Sequence, residues 1–70
     1  MTMFLAADAD GSLWLFQGYP HRYQDEWVND NVKDTAISIE ESILEYFGID
    51  TPNFMSEPIP VSFTLKTYSE

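Results

Sequence analysis

The chain has 70 residues, no cysteine, and a formal net charge of −9 from twelve Asp and Glu against three Lys and Arg. That length allows one domain, residues 1–70, with a small core, and a 44% hydrophobic content with five Phe, four Tyr and two Trp excludes the aromatic-poor make-up of disordered chains. Disulfide frameworks and thiolate metal sites are excluded, and the acidity (pI near 4.1) disfavours direct contact with nucleic acid or an anionic membrane, both of which require cations.

Met1 to Asp8 lacks a basic leader region and meets an acid before a signal-length apolar run develops. No stretch approaches the roughly 20 apolar residues that span a bilayer, so a cytoplasmic location is the expectation. Met3-Phe4-Leu5-Ala6 and Ser12-Leu13-Trp14-Leu15-Phe16-Gln17 are short apolar runs around Asp10-Gly11, a pair suited to the positive φ of a hairpin turn. Leu13 and Leu15 point one way and Trp14 and Phe16 the other, which predicts a central strand covered on both faces.

Gly18 to Gln24 reads as a loop on its Gly, its Pro and its mixed polarity. Trp27-Val28 begins a short third strand that Asn29-Asp30-Asn31 interrupts. From Ser38 the sequence offers a capping box with Glu41, followed by Ile39, Ile43 and Phe47 on one helical face and Gly48 as the stop. A competing reading takes Thr35 to Ile39 as a β-strand on its β-branched residues and starts the helix near Glu41. After a proline-rich connector from Asp50 to Pro60, Val61, Phe63 and Leu65 alternate with polar residues as a last strand. The resulting fold class is α+β: a small antiparallel sheet of three to four strands with one helix packed on a face, in the order β-β-(β)-α-β.

The residues that carry chemistry are few. Asp8-Ala9-Asp10-Gly11-Ser12 superficially suggests a calcium loop, but the register fails, because placing Asp8 first puts Tyr19 at the twelfth position where a bidentate Glu belongs. His21 is the single histidine and no cysteine accompanies it, so nucleophilic triads and ordinary zinc sites lack parts. A chain this short also leaves little room for the 300–1,000 Å³ pockets, roughly, of small-molecule sites. No cofactor, metal or enzymatic activity is expected. Tyr19, His21, Arg22 and Tyr23 have the composition of an interaction loop, against the alternative that Tyr19 and Tyr23 fold back to finish the core. The acids form two groups, Asp25, Glu26, Asp30 and Asp34 before the helix and Glu40, Glu41 and Glu45 on it, either a solubilising face or an imitation of phosphate charge.

Leu5-Ala6-Ala7-Asp8-Ala9-Asp10-Gly11-Ser12-Leu13-Trp14-Leu15-Phe16, the loop with Pro20, Trp27-Val28, and Glu57-Pro58-Ile59-Pro60-Val61-Ser62-Phe63-Thr64-Leu65 together resemble small acidic proteins of phages and mobile elements of gut bacteria, over about half the chain. The sequence departs from them in its longer helical insert from Ser38 to Phe47. The resemblance implies a mobile-element setting, in which short acidic proteins inhibit host defence nucleases as anti-CRISPR proteins do, by occupying nucleic-acid channels. The expected function is therefore an accessory protein that binds a basic surface of a host protein, a DNA mimic directed at a nucleic-acid-binding effector. The alternative is an assembly module that forms a homodimer.

Overall fold

The fold is built around one hairpin. In a computed structural model, which describes residues 2–29 and 36–62, β1 (Thr2–Ala7) and β2 (Leu13–Phe16) pair antiparallel with Ala7 opposite Leu13. The turn is a three-residue loop and not a two-residue Asp-Gly turn: the Gly11 N–H donates to the Asp8 carbonyl at 2.9 Å, and the Asp8 N–H donates to the Ser12 carbonyl at 2.9 Å. Gly11 alone takes the left-handed conformation there, at φ 92°, which is the pattern of a type I turn closed by a glycine bulge. Asp10 keeps negative φ and uses its carboxylate to accept the Ser12 N–H at 2.9 Å.

β5 (Ile37–Ile39) flanks β2 and β6 (Ile59–Ser62) flanks β1, so the main sheet has the order β5-β2-β1-β6, all antiparallel. Because the Asp8 N–H bonds across the hairpin, the even-numbered residues of β1 address β2 and the odd-numbered ones address β6. Phe4 and Pro60 are thus a non-hydrogen-bonded pair, and the proline's missing N–H costs the ladder nothing.

Period-2 alternation gives the two central strands two apolar faces. Met3, Leu5, Ala7, Leu13 and Leu15 lie on one, packed with Leu44, Ile39, Ile49, Ile59 and Val61. Ala6 and Phe16 lie on the other, with Trp27, Trp14, Ala36 and Phe54. The covered central strand expected from the sequence is present.

Four expectations change. The segment read as a loop contains β3 (His21–Tyr23), which pairs with β4 (Glu26–Val28) in a separate two-stranded ribbon, so Trp27-Val28 does not join the main sheet. Their two-residue connection, Gln24-Asp25, places Gln24 at φ 57°, a position for which turn chemistry favours Gly, and that obscured the hairpin. The capping box at Ser38 does not form: Ser38 pairs with Trp14 inside β5, and the helix α1 runs Glu41–Tyr46 behind an extended Glu40 with no side-chain cap. The strand alternative was the correct reading, since three positions of β5 gain a ladder with β2 that a helical start would forfeit. The inward face of α1 is also different: Leu44 is 3% exposed, whereas Ile43 and Phe47 are 44% and 66% exposed. The last strand starts at Ile59, earlier than expected, and Phe63 and Leu65 lie outside the described residues.

Gly48 ends α1 at φ 69° as expected. Its N–H reaches the Glu45 carbonyl at 3.1 Å and the Ile49 N–H reaches the Leu44 carbonyl at 2.9 Å, the paired bonds of a Schellman motif. Ile49 and Leu44 meet in the same apolar cluster, which fixes the helix on the sheet.

Candidate interaction surface

The second hairpin is held against the first by polar contacts at their tips. Ala9 donates its N–H to the Asp25 carbonyl at 2.8 Å, and the Asp8 carboxylate accepts the Trp27 N–H at 2.9 Å. These bonds gather Asp8, Asp10, Asp25 and Glu26 around one shallow acidic depression. Two of the four carboxylates already serve the backbone, Asp8 through Trp27 and Asp10 through Ser12. The backbone and side chain of Ser12 hold the Asp10 carboxyl below its ordinary pKa. Among the described residues, no group of three or more acids or histidines is arranged to hold a metal ion.

The aromatic and cationic loop separates into distinct roles. Arg22 spans loop 54–56: its Nε donates to the Phe54 carbonyl at 3.1 Å, and its Nη2 donates to the carbonyls of Met55 at 3.0 Å and Ser56 at 3.4 Å. The same guanidinium lies 4.6 Å from the Trp27 ring centroid and 5.7 Å from that of Phe54. Tyr19 packs edge-on against Phe4 and donates its hydroxyl to Glu57 Oε2 at 3.0 Å. That bond, made by the neutral phenol to a carboxylate, raises the Tyr19 pKa above its ordinary value. Tyr19 and Tyr23 are both exposed, so neither completes the core.

Glu40, Glu41 and Glu45 are exposed on α1 and its N-cap, with Asp50 exposed just beyond it. Glu41 accepts the Thr51 hydroxyl at 3.2 Å. Asp25 and Glu26 lie instead at the second hairpin, beside Asp8 and Asp10. Asp30 and Asp34 lie outside the described residues. Arg22 is the only Lys or Arg among those residues, and its fork is engaged with the carbonyls of loop 54–56.

One feature of this surface was not anticipated. An apolar groove of about 430 Å³ runs between α1 and the sheet, with Leu5 and Leu15 at its floor and Ile39, Ile43, Phe47 and Val61 around it. The sequence held a signal for it: a six-residue helix offers its buried face to Leu44, yet Ile43, Tyr46 and Phe47 are also apolar or aromatic. A second depression of about 280 Å³ lies by Trp14, Phe16 and Trp27. Among the described residues, the indole N–H groups of both tryptophans are buried without an acceptor.

Comparison with protein-family models, with curated proteins and with solved structures finds no match to this chain. No helix among the described residues is long and apolar enough to cross a membrane.

Proposed function

We propose that this chain is an acidic protein-binding module that docks on a basic surface of a nucleic-acid-binding protein and competes there with nucleic acid. The observation that carries the reading is the imbalance of charge on the exposed surface. Glu40, Glu41 and Glu45 face solvent on one short helix and its N-cap, while Arg22, the one Lys or Arg among the described residues, is engaged with loop carbonyls. Carboxylates carried on a folded backbone present negative charge without the backbone ordering entropy a disordered acidic tail would lose on binding. The specific form of the proposal follows the resemblance in sequence: a phage or mobile-element accessory protein that inhibits a host defence complex by occupying its nucleic-acid channel.

The test is capture of host proteins by the immobilised chain, repeated with the Glu40→Gln, Glu41→Gln, Glu45→Gln triple variant and with double-stranded DNA as competitor. Partner capture should fall in the variant, fall with added DNA and fall with salt, since screening shortens electrostatic reach from about 8 Å at physiological ionic strength to about 3 Å at 1 M. Capture that is equal in the variant and indifferent to DNA overturns the reading. A homodimeric assembly module is the second reading, favoured by the exposure of Ile43 and Phe47. It requires two chains of formal charge −9 to associate, and sedimentation equilibrium at low and high salt separates it from the first.

A further inference from the structure

The groove between α1 and the sheet is apolar over most of its lining, and the helix that walls it continues outward in exposed aromatic surface. Phe47 and Tyr46 pack edge-on at 5.1 Å and are 66% and 84% exposed. The carboxylates of Glu40, Glu41 and Glu45 belong to the same helix and its cap. No carboxylate lines the groove itself, so an occupant that suits it offers apolar side chains to the groove and positive charge to the helix beside it. A second copy of this chain meets the first requirement and opposes the second, because each copy carries −9. We propose that the groove takes a cationic amphipathic segment of the partner, whose apolar side chains enter beside Ile43 and Phe47 while its Lys or Arg residues meet the α1 carboxylates. This rests on the acidic binding module proposed above and adds to it a mode of recognition, apolar anchoring inside an electrostatic frame.

The probe is a pair of synthetic peptides of identical Leu and Lys composition, one with helical amphipathic spacing and one scrambled, titrated by calorimetry and by methyl-resolved NMR against the full chain. The amphipathic peptide should bind more tightly by about tenfold or more, the factor expected from burying one Leu-sized side chain, and should shift the methyl signals of Ile43 and Val61. Phe47→Ala and Ile43→Ser, both at exposed positions, should bring the two peptides to similar affinity. The triple Glu→Gln variant should weaken both peptides. Equal binding of the two peptides to the unaltered chain removes the groove from recognition and leaves the charge reading standing. Binding of neither removes both. A preference for the amphipathic peptide that survives Phe47→Ala and Ile43→Ser overturns the groove assignment. A dimer in sedimentation that Phe47→Ala dissociates makes a second copy the occupant and overturns the cationic one, and so do nuclear Overhauser contacts between Ile43 and Phe63 or Leu65, which would show the chain filling its own groove.

Discussion

Asp8 Oδ1 accepts the backbone N–H of Trp27 at 2.9 Å, joining the end of the first strand to the middle of the fourth. The bond is partly buried, and Trp27 itself is 6% exposed against Phe16 and Ala6. Asp8→Ala leaves that N–H without its acceptor and is expected to cost about 1–3 kcal/mol. The measurement is denaturant unfolding followed by tryptophan fluorescence, and a midpoint within error of the parent would show that the two hairpins are joined by apolar packing alone.

Arg22 gives a sharper contrast, because its contacts depend on the shape of the guanidinium. Three carbonyls of loop 54–56 and two aromatic rings share one planar fork. Arg22→Lys retains the charge but offers a compact ammonium, so it should recover little of what Arg22→Ala loses. Amide hydrogen exchange of residues 54–56 should accelerate in both variants. Full protection in Arg22→Lys would mean that charge, and not the fork, holds the loop.

Leu44 and Phe47 test the orientation of α1. With Leu44 buried on the sheet, Leu44→Ala is expected to destabilise by about 2–5 kcal/mol. Phe47→Ala removes a larger side chain from a mostly exposed position and should cost about 1 kcal/mol or less. The opposite ranking in thermal melts would restore the Ile43 and Phe47 face that the sequence suggested.

Two pH effects follow from side-chain hydrogen bonds. Asp10 is held below its ordinary pKa, so its contribution to stability is complete above the unfolded carboxyl value and is lost as pH falls through the folded one. Tyr19 is held above its ordinary pKa, so its contribution is complete below the unfolded value and is lost as pH rises through the folded one. Ultraviolet titration should show Tyr19 ionising at lower pH in Glu57→Gln than in the parent chain. A titration curve unchanged by Glu57→Gln would remove the bond from the account.

Strand alternation made the main hairpin and its two-faced burial legible in the sequence, because Leu13 and Leu15 against Trp14 and Phe16 admit few other arrangements. Gly48 was legible for a similar local reason, since its neighbours supply both bonds of the helix stop. Ser38 misled because a capping box is a local signal, while the bond partners of β5 come from β2, more than twenty residues away. The β3–β4 ribbon was hidden by a turn whose first residue is Gln24 instead of Gly. At the surface, Glu40, Glu41 and Glu45 are exposed as expected, although the spacing that suggested it turned Ile43 and Phe47 inward in place of Leu44 and counted Glu40 as helical. The engagement of Arg22 was not, because its acceptors are backbone carbonyls more than thirty residues along the chain and carry no side-chain signature.

The pairing of Phe4 with Pro60 bears on how the molecule behaves when crowded. Since Pro60 turns its nitrogen away from β1, the outer margin of β6 presents a pyrrolidine ring where another chain would need a donor. Strand addition at that position is disfavoured by covalent structure and does not rely on the mutual repulsion of acidic chains, which salt would screen. Among the described residues, β5 at the opposite margin and the two strands of the β3–β4 ribbon remain as short edges, each of three residues, so Pro60→Val is expected to form β-rich aggregates in high salt more readily than the parent.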